Sequence, residues 1–136
     1  MTLAKRKHPE ADLQRAWLRW FELSKKRTAI AWACENGGKR SRIEASILKG
    51  MGVKPGMPDV HILHDGRLHM IEFKRQGGRA TPIQREMAEI LIKAGAFYCL
   101  CDSLDEAIAI TRRWGLIRET QSATQQRDMF EDLAHA

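Results

Sequence analysis

The stretch Asp59-Val60-His61-Ile62-Leu63-His64-Asp65-Gly66-Arg67-Leu68-His69-Met70-Ile71-Glu72-Phe73-Lys74 decides the reading of this chain. Polar and apolar residues alternate on both sides of Asp65-Gly66, a dipeptide suited to a tight hairpin turn because both residues tolerate positive φ. The two halves predict a β-hairpin whose open end brings Asp59 against Glu72. Side chains alternate across a strand, so Glu72 and Lys74 share one face while Phe73 points to the other. Two carboxylates so placed suit Mg²⁺ (or Mn²⁺), a hard cation that takes one or two protein oxygens and leaves room for water and phosphate. Such an ion polarises a phosphoryl oxygen and lowers the pKa of water, and Lys74 would orient that water or offset the developing charge.

Upstream, the rigid run Lys54-Pro55-Gly56-Met57-Pro58 delivers the chain into Asp59. Ile43, Ile47 and Leu48 predict a short helix over 41–49, closed by Gly50 and Gly52. Asn36-Gly37-Gly38 reads as a turn, and Ile30, Trp32 and Cys34 alternate as in a short strand. Pro9 suits the first turn of a helix over 9–24, whose apolar face is Leu13, Ala16, Trp17, Trp20 and Phe21.

Downstream, Arg75-Gln76-Gly77-Gly78-Arg79 is expected to be a mobile loop. Thr81-Pro82-Ile83-Gln84 reads as an N-cap, a first-turn proline and a capping-box Gln, opening a helix with Ile83, Met87, Ile90 and Leu91 on its apolar face. Gly95 stops it. Residues 96–101 predict a buried strand, and Ser103 caps a last helix carrying Ala107, Ile108 and Thr111. The fold class is therefore α/β, a mixed β-sheet flanked by helices.

At 136 residues, with 43% apolar and 29% charged residues, the chain fits one ordinary globular domain. We expect a domain over 1–118 and a flexible polar tail over 119–136. The formal charge is +6, and without the acidic tail 22 bases stand against 13 acids, or +9. Such an excess favours a polyanionic partner. Cys34, Cys99 and Cys101 make no even-numbered disulfide framework, and no apolar run reaches membrane-spanning length. The N-terminus lacks a signal-type apolar stretch, so the expectation is a cytoplasmic protein (in a bacterial or phage-infected cell) with reduced thiols. Cys99 and Cys101 share a strand face and read as core residues. His61 and His69 read as surface residues of a half-exposed hairpin, outside the site.

The joint pattern is more specific than its parts. Gly56-Met57-Pro58-Asp59 lies thirteen positions before Glu72-Phe73-Lys74, and Gln84 opens a helix ten positions after Lys74. This resembles the PD-(D/E)XK nuclease superfamily and, more narrowly, the virus-type replication-repair nuclease (VRR-NUC) domain, over about residues 9–112. Glu10-Ala11-Asp12-Leu13-Gln14 and the Asn36–Gly38 turn match the same family's N-terminal half.

The resemblance implies a PD-(D/E)XK restriction-endonuclease-like core and a Mg²⁺-dependent deoxyribonuclease. Asp59, Glu72, Lys74 and Gln84 would be its catalytic residues. Asp59, Glu72, the main-chain carbonyl of Phe73 and Glu10 would hold metal. Glu10 is equally suited to complementing a helix dipole, and Gln84 to capping its helix. Lys54, Arg67, Arg75, Arg79 and Arg85 are candidate phosphate contacts. Family members are associated with structure-selective cutting of branched DNA such as Holliday junctions or flaps, in replication, recombination or repair, and stand-alone members tend to act as homodimers. The competing class is a nucleic-acid-binding or recruitment protein that keeps the fold without cutting.

In the tail, Gln126-Arg127-Asp128-Met129-Phe130 resembles the short peptide by which bacterial replication proteins dock on the sliding clamp. Gln126, Met129 and Phe130 would be its anchors.

Overall fold

The structure is a computed structural model, and it describes residues 8–35 and 41–118. Its elements follow the expected order: α1 (Pro9–Ser24), β1 (Ile30–Ala33), α2 (Arg42–Gly50), β2 (Val60–His64), β3 (Arg67–Phe73), α3 (Pro82–Lys93), β4 (Phe97–Cys101) and α4 (Leu104–Arg113). The four strands form one mixed sheet in the order β1-β2-β3-β4. β1 and β2 are antiparallel, as are β2 and β3, while β4 joins β3 in parallel after the α3 crossover.

The hairpin forms in the register that the alternation predicts. Val60 pairs with Ile71 and His64 with Arg67, with Asp65 at φ 51 and Gly66 at φ 72 in the turn. Asp59 precedes β2 by one residue and Lys74 follows β3 by one, so both stand at the ends of the strands rather than within them.

Each strand of the hairpin buries one face against α1 and α4. Trp17 and Phe21 are one turn apart on α1, stack with ring centroids 4.8 Å apart, and meet Phe73 at 5.9 Å from Trp17. Val60, Ile62, Ile71, Cys101 and Ala107 complete this core. Burying Trp17 obliges its indole N–H to find an acceptor. Nε1 donates to Thr111 Oγ1 at 3.0 Å, and that hydroxyl donates to the Ala107 carbonyl at 2.6 Å. The opposite face of the sheet carries Met70, Glu72 and Lys74, and α3 covers it with Met87 and Ala88.

Some expected apolar faces are not buried. Ala16 is exposed on α1. In α2 no residue is buried, and Ile43 and Ile47 are 74% and 58% exposed. In α3, Ile83 and Ile90 face solvent, while Met87 and the half-buried Leu91 carry the packing. β4 is one of the two edge strands of the described sheet, and Phe97 at its start is exposed. His61 and His69 are buried rather than superficial, each tied to a main-chain carbonyl. A carbonyl can only accept, so His61 Nε2–H donates to Pro58 at 3.1 Å and His69 Nδ1–H to Ile62 at 3.3 Å. The rings also pack on Trp32 and Phe97 respectively. Burial pushes both imidazoles below their ordinary pKa, which favours these neutral tautomers.

Candidate active site

The site forms where three chain segments meet at the open end of the hairpin. The Gly56–Asp59 turn enters first. Gly56 has φ 78, and a Cβ there would lie 2.7 Å from the Ile83 carbonyl oxygen, so only glycine fits against the first turn of α3. Pro58 behind it is fully buried. Asp59 then extends across the hairpin, and its Oδ2 accepts the Phe73 main-chain N–H at 2.8 Å. This hydrogen bond ties the turn to the strand bearing Glu72 and Lys74.

Glu72 is 2% exposed and Lys74 8%. Glu72 Oε1 accepts from Gln84 Nε2 at 3.2 Å, whereas Oε2 is buried without a hydrogen-bond donor. Burial pushes the Glu72 carboxyl up to about 8. Repulsion from Asp59 acts in the same direction, Lys74 opposes it, and Glu10 adds a smaller upward push. A buried carboxyl with an orphaned oxygen, crowded by a second carboxylate, is costly unless protonated or matched by positive charge. The donor set therefore fits a hard divalent cation, which would engage the orphaned Oε2 and relieve the repulsion with Asp59.

Gln84 caps its helix and also reaches Glu72. Its Oε1 accepts the Thr81 N–H at 2.9 Å while the Thr81 hydroxyl accepts the Gln84 N–H at 3.3 Å, a complete capping box. Its amide nitrogen is left for Glu72. Glu10, in the first turn of α1, accepts the Arg75 N–H through Oε1 at 3.4 Å and acts electrostatically on Glu72, so it borders the carboxylate pair. Phe73 sends its side chain into the core and its main chain past Asp59.

The basic residues divide. Arg75 and Arg79 are exposed in the segment after β3, and Arg85 is exposed next to Gln84. Lys54 is exposed two residues before Gly56. Arg67 is not at the site: it pairs with His64 beside the hairpin turn, at the opposite end of β3 from Glu72. Two hydrogen bonds shape the segment after β3. Gly77 N–H donates to Asp102 Oδ2 at 3.0 Å, and Gly78 N–H donates to the Arg75 carbonyl at 2.7 Å. That contact holds the Asp102 carboxyl below its usual range.

Tyr98 is a neighbour that the sequence reading missed. It pairs with Met70 on the Glu72 face of the sheet, and burial, followed by the Glu72 charge, pushes its hydroxyl up to about 12. The parallel register of β4 against β3 would have located it, but local patterning does not give that register. The Asn36–Gly38 turn, the 119–136 tail and its anchors Gln126, Met129 and Phe130 lie outside the described residues.

This fold, with two carboxylates and a lysine at the end of a hairpin beside a helix N-terminus, is of the PD-(D/E)XK nuclease type. The VRR-NUC domain profile matches residues 2–105, and the chain belongs to that family. A solved VRR-NUC domain protein, 25% identical, superposes with a TM-score of 0.63 over 82% of this chain and 89% of its own. Another solved VRR-NUC domain, 18% identical, shares the fold with a TM-score of 0.54 over 76% of this chain and 95% of its own. No curated protein matches the chain. Membership carries a nuclease-type function. No described helix is long and apolar enough to cross a membrane.

Proposed function

We propose that the chain is a divalent-metal-dependent endonuclease that hydrolyses DNA phosphodiester bonds, selecting branched structures such as Holliday junctions or flaps during replication, recombination or repair. The observation that carries this reading is the buried, donorless Oε2 of Glu72 beside Asp59, since hydrolytic chemistry needs a cation there and binding alone does not. Asp59 and Glu72 would hold Mg²⁺ or Mn²⁺, with Glu10 and the Phe73 carbonyl as further oxygens. When bound, the ion supplies Lewis-acid charge to the scissile phosphate.

The chain's own groups do the rest. Lys74, buried like Glu72 and acting electrostatically on it, would place an ammonium against the phosphate and offset charge as the bond breaks. Gln84 fixes the Glu72 carboxylate from the first turn of α3 and acts as a positioning residue. Lys54, Arg75, Arg79 and Arg85 are exposed around the site and would hold phosphates on either side of the cut without reading sequence.

Two parts of the proposal concern assembly. The chain would act as a homodimer, because two related sites match the symmetry of a four-way junction, and the unburied α2 apolar row of Ile43 and Ile47 offers surface for a second copy. Residues 126–130 would recruit the domain of residues 1–118 to a sliding clamp; loss of peptide binding on Phe130→Ala is expected, and failure of the parent peptide to bind removes this part.

The test is a panel of junction, flap, nicked and linear DNA, with RNA as comparison, incubated with Mg²⁺ or Mn²⁺ and again with chelator. Chelator-sensitive cutting with preference for a branched substrate is expected. Equal cutting of linear duplex would remove the structure selectivity, and absence of cutting on every substrate would remove the enzyme reading.

A further inference from the structure

Behind the catalytic strand, on the other face of the sheet, lies a second group of metal-ligating side chains. Cys99 and Cys101 pair with Ile71 and Phe73 in the parallel register, so their side chains point to the α1/α4 face, away from Glu72 and Lys74. Their sulfurs stand 3.8 Å apart, with Cys101 Sγ directed at Cys99 Sγ. Glu106, in the first turn of α4, brings a carboxylate oxygen to the pair, and the three ligand atoms lie within 4.8 Å of one another. Cys101 is buried, Cys99 half-buried and Glu106 exposed, so the group opens to solvent on its carboxylate side.

We propose that Cys99, Cys101 and Glu106 form a binding site for a thiophilic divalent cation of the Zn²⁺ class. Two thiolates on a tetrahedral ion at about 2.3 Å each stand ~3.8 Å apart, and the observed sulfur separation of 3.8 Å meets that requirement without backbone movement. Two sulfurs and one carboxylate oxygen make three ligands, which leaves the fourth position to water. The donors also select the ion: thiolates favour Zn²⁺, Co²⁺ or Cd²⁺ over Mg²⁺, which takes oxygen. Binding replaces the two thiol protons, which pass to the buffer, with no oxidant or reductant involved.

The site's position gives it a structural task. The Cys101 carbonyl accepts the Lys74 N–H at 2.9 Å, and the next residue, Asp102, holds Gly77. An ion joining β4 to α4 at this corner braces the main chain that carries Lys74 and the segment after it.

The proposal does not depend on the nuclease reading, and its test uses absorption rather than cleavage. The reduced full-length protein is titrated with Co²⁺ or Cd²⁺ while the sulfur-to-metal charge-transfer band is followed. One equivalent of thiolate-bound ion per chain is expected, displaced by Zn²⁺ but not by a large excess of Mg²⁺. Cys99→Ser should abolish the band. Glu106→Gln, at an exposed position where the fold is not at risk, should weaken Co²⁺ binding about tenfold or more. Glu72→Gln should leave the band intact. No band at stoichiometric ion, a band that survives Cys99→Ser, or unaltered affinity in Glu106→Gln would each overturn the proposal.

Discussion

Gln84 donates its amide nitrogen to Glu72 Oε1 at 3.2 Å while its own Oε1 caps α3 through the Thr81 N–H at 2.9 Å. One side chain thus fixes both the helix start and the carboxylate, and the two roles are separable. Gln84→Glu keeps an acceptor for Thr81, because Glu serves in a capping box as well as Gln, but it loses the donor to Glu72. Stability within about 1 kcal/mol of the parent is expected by denaturant titration, with cleavage reduced at neutral pH. Gln84→Ala should lose both.

The Glu72 carboxyl makes the metal-free protein sensitive to pH. Its pKa in the fold is raised from 4.5 to about 8, so the folded chain holds this proton more tightly than the unfolded chain does. The resulting stability is fully present below about 4.5 and is lost as pH rises through about 8. In chelator, Tm should fall across that window, and Glu72→Gln should flatten the fall, giving a higher Tm than the parent at the alkaline end. Divalent-ion affinity should change the opposite way, rising with pH as Glu72 loses its proton. A parent and variant with parallel Tm profiles would contradict this account of Glu72.

Gly56→Ala places a methyl group 2.7 Å from the Ile83 carbonyl at a residue of φ 78. The strain should cost about 1–3 kcal/mol by chemical denaturation. It should also lower cleavage, since the turn carrying Asp59 and the helix carrying Gln84 are forced apart. Gly50→Ala, with open space around its Cβ, is the control and should be near neutral.

Thr111→Val removes the acceptor for the buried Trp17 indole at nearly constant volume. An orphaned buried N–H costs about 1–3 kcal/mol, measurable as a lower denaturant midpoint with an unchanged m-value. The active-site geometry should survive, with kcat per folded molecule unaltered.

What the sequence disclosed depended on range. The hairpin was legible because alternation and Asp65-Gly66 are local signals, and the α3 start because Thr81, Pro82 and Gln84 lie within one turn. The nearness of Asp59 to Glu72 followed from hairpin register, in which Val60 pairs with Ile71 one step further in. Longer-range features did not follow. The sequence shows that Ile43, Ile47 and Ile90 are apolar but not that nothing in the described chain covers them. His61 and His69 read as surface residues because their carbonyl partners and the neighbouring rings come together only in the sheet. Arg67 seemed close to the site in sequence, yet strand rise carries it to the far end of β3. The β3–β4 register, which brings Tyr98 toward Glu72, and the β4–α4 packing, which brings Glu106 to the two cysteines, depend on a crossover that no local pattern encodes.

The central claim is that Asp59, Glu72 and Lys74 form one hydrolytic site. Its most direct test is single-turnover DNA cleavage in Mg²⁺ by the parent, Lys74→Ala and Asp59→Ala, with DNA binding measured in parallel. Loss of cleavage by about a hundredfold or more is expected in both variants, with DNA affinity retained in Lys74→Ala and divalent-ion binding weakened in Asp59→Ala. Cleavage by either variant at the parental rate would contradict it.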